Sequence, residues 1–270
     1  MKTITRLLMQ RAVAAARPYV KAYGLLQTAK VFNRSALVWN PGAERVMVLA
    51  PHMDDEVIGC GGALARHVAA GATVAVVFLT DGSLGGAATD APRVSDLVAT
   101  RRREAAAALG ELAISRLSFL DAKDGELRST PALATALRAT LEADDPELVY
   151  LPSFLEEHPD HRAATQLLLD AVNGTNLRFS CLGYEVWTPL FPNCLVRIDE
   201  VADLKRRAIE CYRSQLTDSD YVHTQLGLNA YRSSAFLGGS CRYAEAYCAM
   251  SLDTLRETYG LHCAAAGRAT

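Results

Sequence analysis

Four short apolar runs constrain this chain most: RVMVLAP (45–51), TVAVVFLTDG (73–82), RLSFLD (116–121) and ELVYLPS (147–153). None keeps a strict alternation of apolar and polar residues, so each reads as a strand buried on both faces. Each is followed by a stretch of helical character. EVIGCGGALARHVAAG stops at Gly71, and VSDLVATRRREAAAALGEL carries Ala and Leu in its apolar positions. TPALATALRATLEADDP ends before Pro146, and HPDHRAATQLLLDAVNG has Pro159 at its first helical position. LRFSCLGYEVW and CLVRID read as further strands, and EVADLKRRAIECYRSQL as another helix. Strand and helix alternate at least four times. The fold expected is α/β, a mostly parallel sheet with helices on both faces. Thr217 to Ser240 is polar and dotted with Gly and Ser, and is expected to be a long loop or lid. No repeat or low-complexity segment interrupts the pattern.

Chain length fits one large domain with an added segment. Residues 45–270 are expected to form a single domain. Residues 1–44 stand apart: Lys2, Arg6, Arg11, Arg17, Lys21, Lys30 and Arg34 precede the first acid, Glu44. A basic, helix-prone extension of this kind suits three roles. It can pack on the domain with its arginines solvated, lie peripherally on an anionic membrane, or act as a transit peptide. No apolar stretch approaches the length of a spanning helix. The net charge of −2 argues against nucleic acid as a partner. Seven cysteines, an odd number with no C-x-x-C pair, argue against a disulfide framework or a zinc ribbon. Reduced thiols and a cytoplasmic location follow, with the inner membrane face as the expected place of any peripheral contact.

The chemistry lies at the strand ends. The first strand runs out at Pro51, directly before His52, Asp54 and Asp55; the fourth ends near Ser153, shortly before His158, Asp160 and His161. In an open α/β sheet ligands bind outside the carboxyl ends of the strands, so both clusters fall on one rim. His52 and Asp55 are three apart, as are His158 and His161, so one turn can aim each pair at a point. A metal can take His52, Asp55 and one of the later histidines, three protein ligands with an open position. Asp54 and the other histidine are left as one base and one acid, a set suited to hydrolysis by metal-activated water. Taken singly, the Asp pair could merely cap a helix. Two His–Asp clusters at matching strand ends resist that account. The GCGG of residues 59–62 is no dinucleotide fingerprint, because Leu64 stands where the third glycine belongs.

PHMDDE and the later HPDHRAA resemble the paired motifs P-H-P-D-D-E and H-x-D-H of the LmbE/PIG-L family of metal-dependent de-N-acetylases. Thr80-Asp81-Gly82, the stretch from Arg101 to Gly110, Asp124-Gly125 and KRRAIECYRSQL match in order, so the resemblance covers roughly residues 45–250. It implies a Rossmann-like fold and an N-acetyl-sugar hydrolase releasing acetate and a free amine. It also implies that His52, Asp55 and His161 hold the metal and that Asp54 is the general base. His158 would stabilise the oxyanion or protonate the leaving amine, and Asp160 would orient a histidine. Arg101 and Asp124 match sugar-contacting positions. Zinc is the expected metal, and Fe(II) also accepts this ligand set. Met53 replaces the family's usual Pro. Glu156 stands where some members carry Tyr, and with Glu157 would bias the site toward a basic or hydroxyl-rich substrate. The sugar's acceptor is open, from small molecule to lipid-linked or polysaccharide forms. Two rivals stand beside this reading: a carbohydrate-binding protein that keeps a metal without catalysis, and a non-haem Fe(II) oxygenase.

Overall fold

The computed structural model describes residues 36–85, 91–217 and 219–265. The basic extension therefore lies, for residues 1–35, outside the described residues. Among the described residues eight strands form one sheet: β1 (Leu37–Val38), β2 (Arg45–Ala50), β3 (Thr73–Thr80), β4 (Arg116–Ala122), β5 (Leu148–Pro152), β6 (Ser180–Tyr184), β7 (Cys194–Arg197) and β8 (Ala244–Ser251). Their spatial order is β1-β7-β8-β6-β5-β2-β3-β4. All neighbours are parallel except β8, which runs antiparallel to both β6 and β7. The helices are α1 (Asp55–Ala69), α2 (Ala91–Glu111), α3 (Pro131–Asp144), α4 (Pro159–Ala171), α5 (Ala202–Glu210), α6 (Tyr221–Leu237) and α7 (Leu252–Ala265).

The central strands show why their apolar runs lack alternation. Val46, Val48 and Ala50 of β2 enter one core with residues of α1, α2 and α5. Met47 and Leu49 enter the opposite core with α3, α4 and α7. Successive side chains point to opposite faces, and both faces are covered, so every position must be apolar. From β2 the chain builds outward through β3 to β4, then returns to lay β5 on the other side of β2. The ends of β2 and β5 therefore flank a topological switch point, where such sheets open a crevice.

Two expectations are corrected. Residues 217–240 are not a loop: α6 occupies Tyr221–Leu237, capped by the Asp220 carboxylate, which accepts from the His223 amide. Its inward residues are Gln225, Asn229, Arg232 and Ser233, polar side chains at helical spacing, so no apolar stripe announces it. Arg232 is buried in an ion pair with Glu185, and Gln225 donates to the Val186 carbonyl. The second correction concerns the boundary at residue 45. Leu37 and Val38 already belong to the sheet, pairing with Cys194 and Leu195 of β7, because that edge still offers free backbone groups. All seven cysteines are free thiols. Among the described residues no helix is long and apolar enough to cross a membrane.

Candidate metal centre and hydrolytic site

The turn between β2 and α1 is held at several points. Pro51 O accepts from both the Thr80 amide and the Thr80 hydroxyl, at 3.0 and 2.7 Å, which fastens the strand end to β3. Asp54 then adopts φ 144°, a backbone region that a side chain of this kind rarely occupies. Its amide donates to the Glu56 carboxylate at 3.1 Å, and Tyr212 of the segment after α5 hydrogen-bonds the other Glu56 oxygen. Strain of this sort persists only where surrounding contacts over-determine it. On the neighbouring strand, the loop after β5 ends at His158. Its Nδ1 accepts from the Asp160 amide at 3.2 Å, making it the N-cap of α4, which carries His161.

Three atoms converge from these two turns. His52 Nδ1 and His161 Nε2 each lie 3.2 Å from Asp55 Oδ2, and 3.3 Å from one another. Ligands at roughly 2.0–2.1 Å from a tetrahedral zinc are about 3.3 Å apart, so the triangle has the size a small divalent cation requires. A ring nitrogen of His158 also lies within 4.8 Å of those of His52 and His161. The electrostatics agree. Burial opposes charge on His52, yet hydrogen bonds to the carboxylates of Asp124, Asp160 and Asp55 raise its pKa well above the usual value. His161 is pushed up to about 9, against burial, chiefly by Asp55. Burial likewise opposes charge on Asp55, and the two imidazoles nonetheless hold it well below the usual range. The lone pairs that draw protons to this cluster are those a divalent cation takes, releasing the protons.

Behind the triangle stand groups that aim it. His52 Nε2 is 3.1 Å from Asp160 Oδ2 and 3.2 Å from Asp124 Oδ1, so the far nitrogen donates while Nδ1 faces the cluster. Asp160 also accepts from the amides of Gly125 and Leu127 at 2.7 and 3.0 Å, tying the loop after β4 to α4. Asp124 accepts from the Leu84 amide at 2.9 Å. Arg101, expected on substrate, donates from its two terminal nitrogens to the carbonyls of Gly82 and Met53, at 3.0 and 2.9 Å. It remains 3.7 Å from Asp54 and 3.9 Å from Asp124.

Glu156 differs from its expected role. It is buried, and accepts from the amides of Val186, Trp187 and Thr188, the nearest at 2.6 Å, with His161 Nδ1 3.7 Å away. Glu157 beside it is exposed. Nothing in the pair of identical residues distinguishes the buried one. Glu56 was equally silent as a supporting group, although it closes the PHMDDE stretch.

Asp54, Asp55, His52 and His158 line one cavity of about 180 Å³, with Arg101, Asp124, Trp187, Gln215 and Tyr221 around it. Burial pushes the Asp54 carboxyl up to about 7, against the pull of Arg101. His158 is lowered by burial and then by the neighbouring His52 and His161. A neutral imidazole whose Nδ1 accepts carries its proton on Nε2. The cavity thus brings a carboxyl poised near neutrality and a neutral imidazole donor beside His52 and Asp55, two corners of the cation-sized triangle.

Residues 47–172 match the family described as PIG-L, GlcNAc-PI de-N-acetylase. The diacetylchitobiose deacetylase of Thermococcus kodakarensis is 30% identical over 192 residues, covering 65% of this chain and 71% of that protein. The chain belongs to the PIG-L (LmbE-like) family. The N,N'-diacetylchitobiose deacetylase of Pyrococcus horikoshii, solved with its inhibitor MPG, superposes with a TM-score of 0.66 at 25% identity, over 86% of this chain and 92% of that one. A 4-carboxy-2-hydroxymuconate hydratase from Pseudomonas putida shares the fold at a TM-score of 0.64 and 24% identity, over 77% and 95% of the two chains. Both paired motifs of this PIG-L chain fall inside the matched residues, and they contain His52, Asp55 and His161.

Proposed function

We propose that this PIG-L-family chain is a metal-dependent hydrolase that removes the N-acetyl group from an N-acetylglucosamine-type substrate, releasing acetate and a free amine. The observation that carries the reading is the triangle of His52, Asp55 and His161 with Asp54 and His158 on the same cavity wall. These three residues are the proposed metal ligands, and zinc is the metal their donor set favours, with Fe(II) next. When bound, the cation supplies Lewis acidity, polarising the amide carbonyl and making water a stronger acid.

Asp54 accepts the proton of the attacking water, a role that its pKa of about 7 suits at neutral pH. A carbon–oxygen bond forms at the amide carbonyl while His158 Nε2–H donates to the oxygen that gains charge. The carbon–nitrogen bond then breaks as the proton held by Asp54 passes to the amine nitrogen. Asp160 holds the His52 ring, and Arg101 steadies Asp54 and the loop through Gly82. Substrate contact by Asp124 is part of the same proposal, alongside its support of His52. Lipid-linked and polysaccharide-linked acceptors, a cytoplasmic location and membrane contact through residues 1–44 rest on the sequence reading alone.

Purified protein incubated with N-acetylglucosamine conjugates is expected to release acetate, and a chelator is expected to abolish that release. Hydration of an unsaturated acid in place of acetate release would move the chain to the chemistry of its hydratase neighbour. Metal-free protein after zinc-replete preparation would remove the ligand assignment itself.

A further inference from the structure

Glu156 stands at a junction between two parts of the site and takes no direct part in the proposed reaction. Both its oxygens act only as acceptors. Oε1 takes the Val186, Trp187 and Thr188 amides at 2.6, 3.1 and 3.3 Å, and Oε2 takes the last two at 3.2 Å each. Its main chain is pinned as well: the amide donates to the Ser153 carbonyl, and the carbonyl accepts from Arg162 Nη1, both at 3.0 Å. A carboxylate gripped by three amides turns only if it releases the backbone that grips it. Val186 and Trp187 line the catalytic cavity, so Glu156 fixes one of its walls.

On its other side the same carboxylate meets a corner of the triangle. His161 is fully buried, and its Nε2 faces Asp55 Oδ2 at 3.2 Å. Among the described residues its Nδ1 has no hydrogen-bond partner. Glu156 Oε2 lies 3.7 Å from that Nδ1, and neither side chain is exposed. The gap is too long for a hydrogen bond, yet without water between them the negative charge favours a proton on Nδ1. A proton there leaves the Nε2 lone pair directed at the triangle, which is the tautomer a ligand needs.

Resting on the ligand set of the proposed function, we propose that Glu156 is a positioning residue that couples the metal to the cavity wall. It selects the cation-binding tautomer of His161, and the same two oxygens set the backbone beneath Val186 and Trp187. Such coupling is reciprocal, so a cation drawn to His161 changes the surroundings of Trp187.

Zinc alone is the probe, and no turnover is needed. The chain holds two tryptophans, so in Trp39→Phe protein the emission reports Trp187. In that parent, Glu156→Gln turns one acceptor into an N–H donor. Glu156→Asp keeps the charge on a shorter side chain, which can serve the amides or the ring but not both. Each is expected to weaken zinc, measured by competition with a chelating dye, by about 10–100-fold. Saturating zinc is expected to shift the Trp187 emission of the parent, and to shift it less than half as far in either variant. A merely structural Glu156 would lower the melting temperature of metal-free protein and leave both zinc readouts at the parent's values. Zinc affinity within about threefold of the parent in a folded variant overturns the coupling. So does a parent that binds zinc with no shift, and acetate release by wild-type protein then leaves the deacetylase reading intact. Weakened zinc and a lost shift, with no acetate from any sugar, keep the coupling and overturn the deacetylase reading.

Discussion

Asp54 and Asp55 are adjacent and chemically identical, yet the fold drives them to opposite ends of the carboxyl range. Asp55 faces two imidazoles and stays ionised, while Asp54 is buried 3.7 Å from one guanidinium and rises to about 7. The φ of 144° at Asp54 lets consecutive side chains serve one site in different roles. Asp54→Asn keeps the shape and removes the base. Metal content by atomic emission is expected to be retained, and kcat to fall by about 10²–10⁴-fold, the usual worth of a general base. Full turnover in the metal-loaded variant would sink the role given to Asp54. The identities of these residues were plain in the sequence, because two His–Asp clusters at the ends of buried strands place imidazoles and carboxylates together on one rim. The role of Glu156 was not, since its three backbone donors arrive from a segment some thirty residues further on.

At the scale of elements, α1 starts at the Asp54–Asp55 pair and is seated by an unusual contact. Lys205 of α5 and Glu245 of β8 form a buried ion pair at 2.6 Å. Glu245 also accepts from the Gly62 and Ala63 amides, at 2.8 and 2.7 Å, and Lys205 donates to the Ile58 carbonyl at 2.8 Å. The pair thus binds α1 through its backbone. Lys205→Met strands the Glu245 charge and is expected to destabilise by about 3–5 kcal/mol in urea melts. Lys205→Met with Glu245→Met is expected to recover more than half of that loss, because neither charge is then left buried without its partner. Recovery of less than a quarter would show that the two charges do not act as a unit.

Glycines on the same scale separate packing from flexibility. A Cβ on Gly59 would fall within the Tyr184 ring, whereas one on Gly110 meets nothing within 4 Å. Gly59→Ala is expected to cost about 1–3 kcal/mol. Gly110→Ala, on an exposed turn of α2, is expected to add about 0.5–1 kcal/mol. Equal shifts in thermal melts would refute the packing account. Helix α1 and the four strands were legible from apolar runs and their stops. Helix α6 was not, because its buried face is polar and its partners are Glu185 and the Val186 carbonyl.

For the whole molecule, the metal is expected to tie the ends of β2 and β5 together across the switch point. A ligand that binds only the native state at about a hundred times its Kd stabilises by about 2.7 kcal/mol. In a domain of this size that is a rise in Tm of about 5–10 °C. Calorimetry of chelated and zinc-replete protein checks it; coincident melts would mean that no cation bridges the two turns.

The sequence alone determined that strands and helices alternate, that the central strands are covered on both faces, and that two His–Asp clusters end neighbouring strands. Those properties follow from local periodicity and from the rule that parallel sheets bind ligands at their carboxyl ends. Only the tertiary structure decided which aspartate is ionised, which glutamate is buried, and that Arg101 donates to carbonyls. It also decided that a polar segment folds as α6. Each of those outcomes is a balance of desolvation against partners that come from distant parts of the chain, and no local pattern encodes that balance.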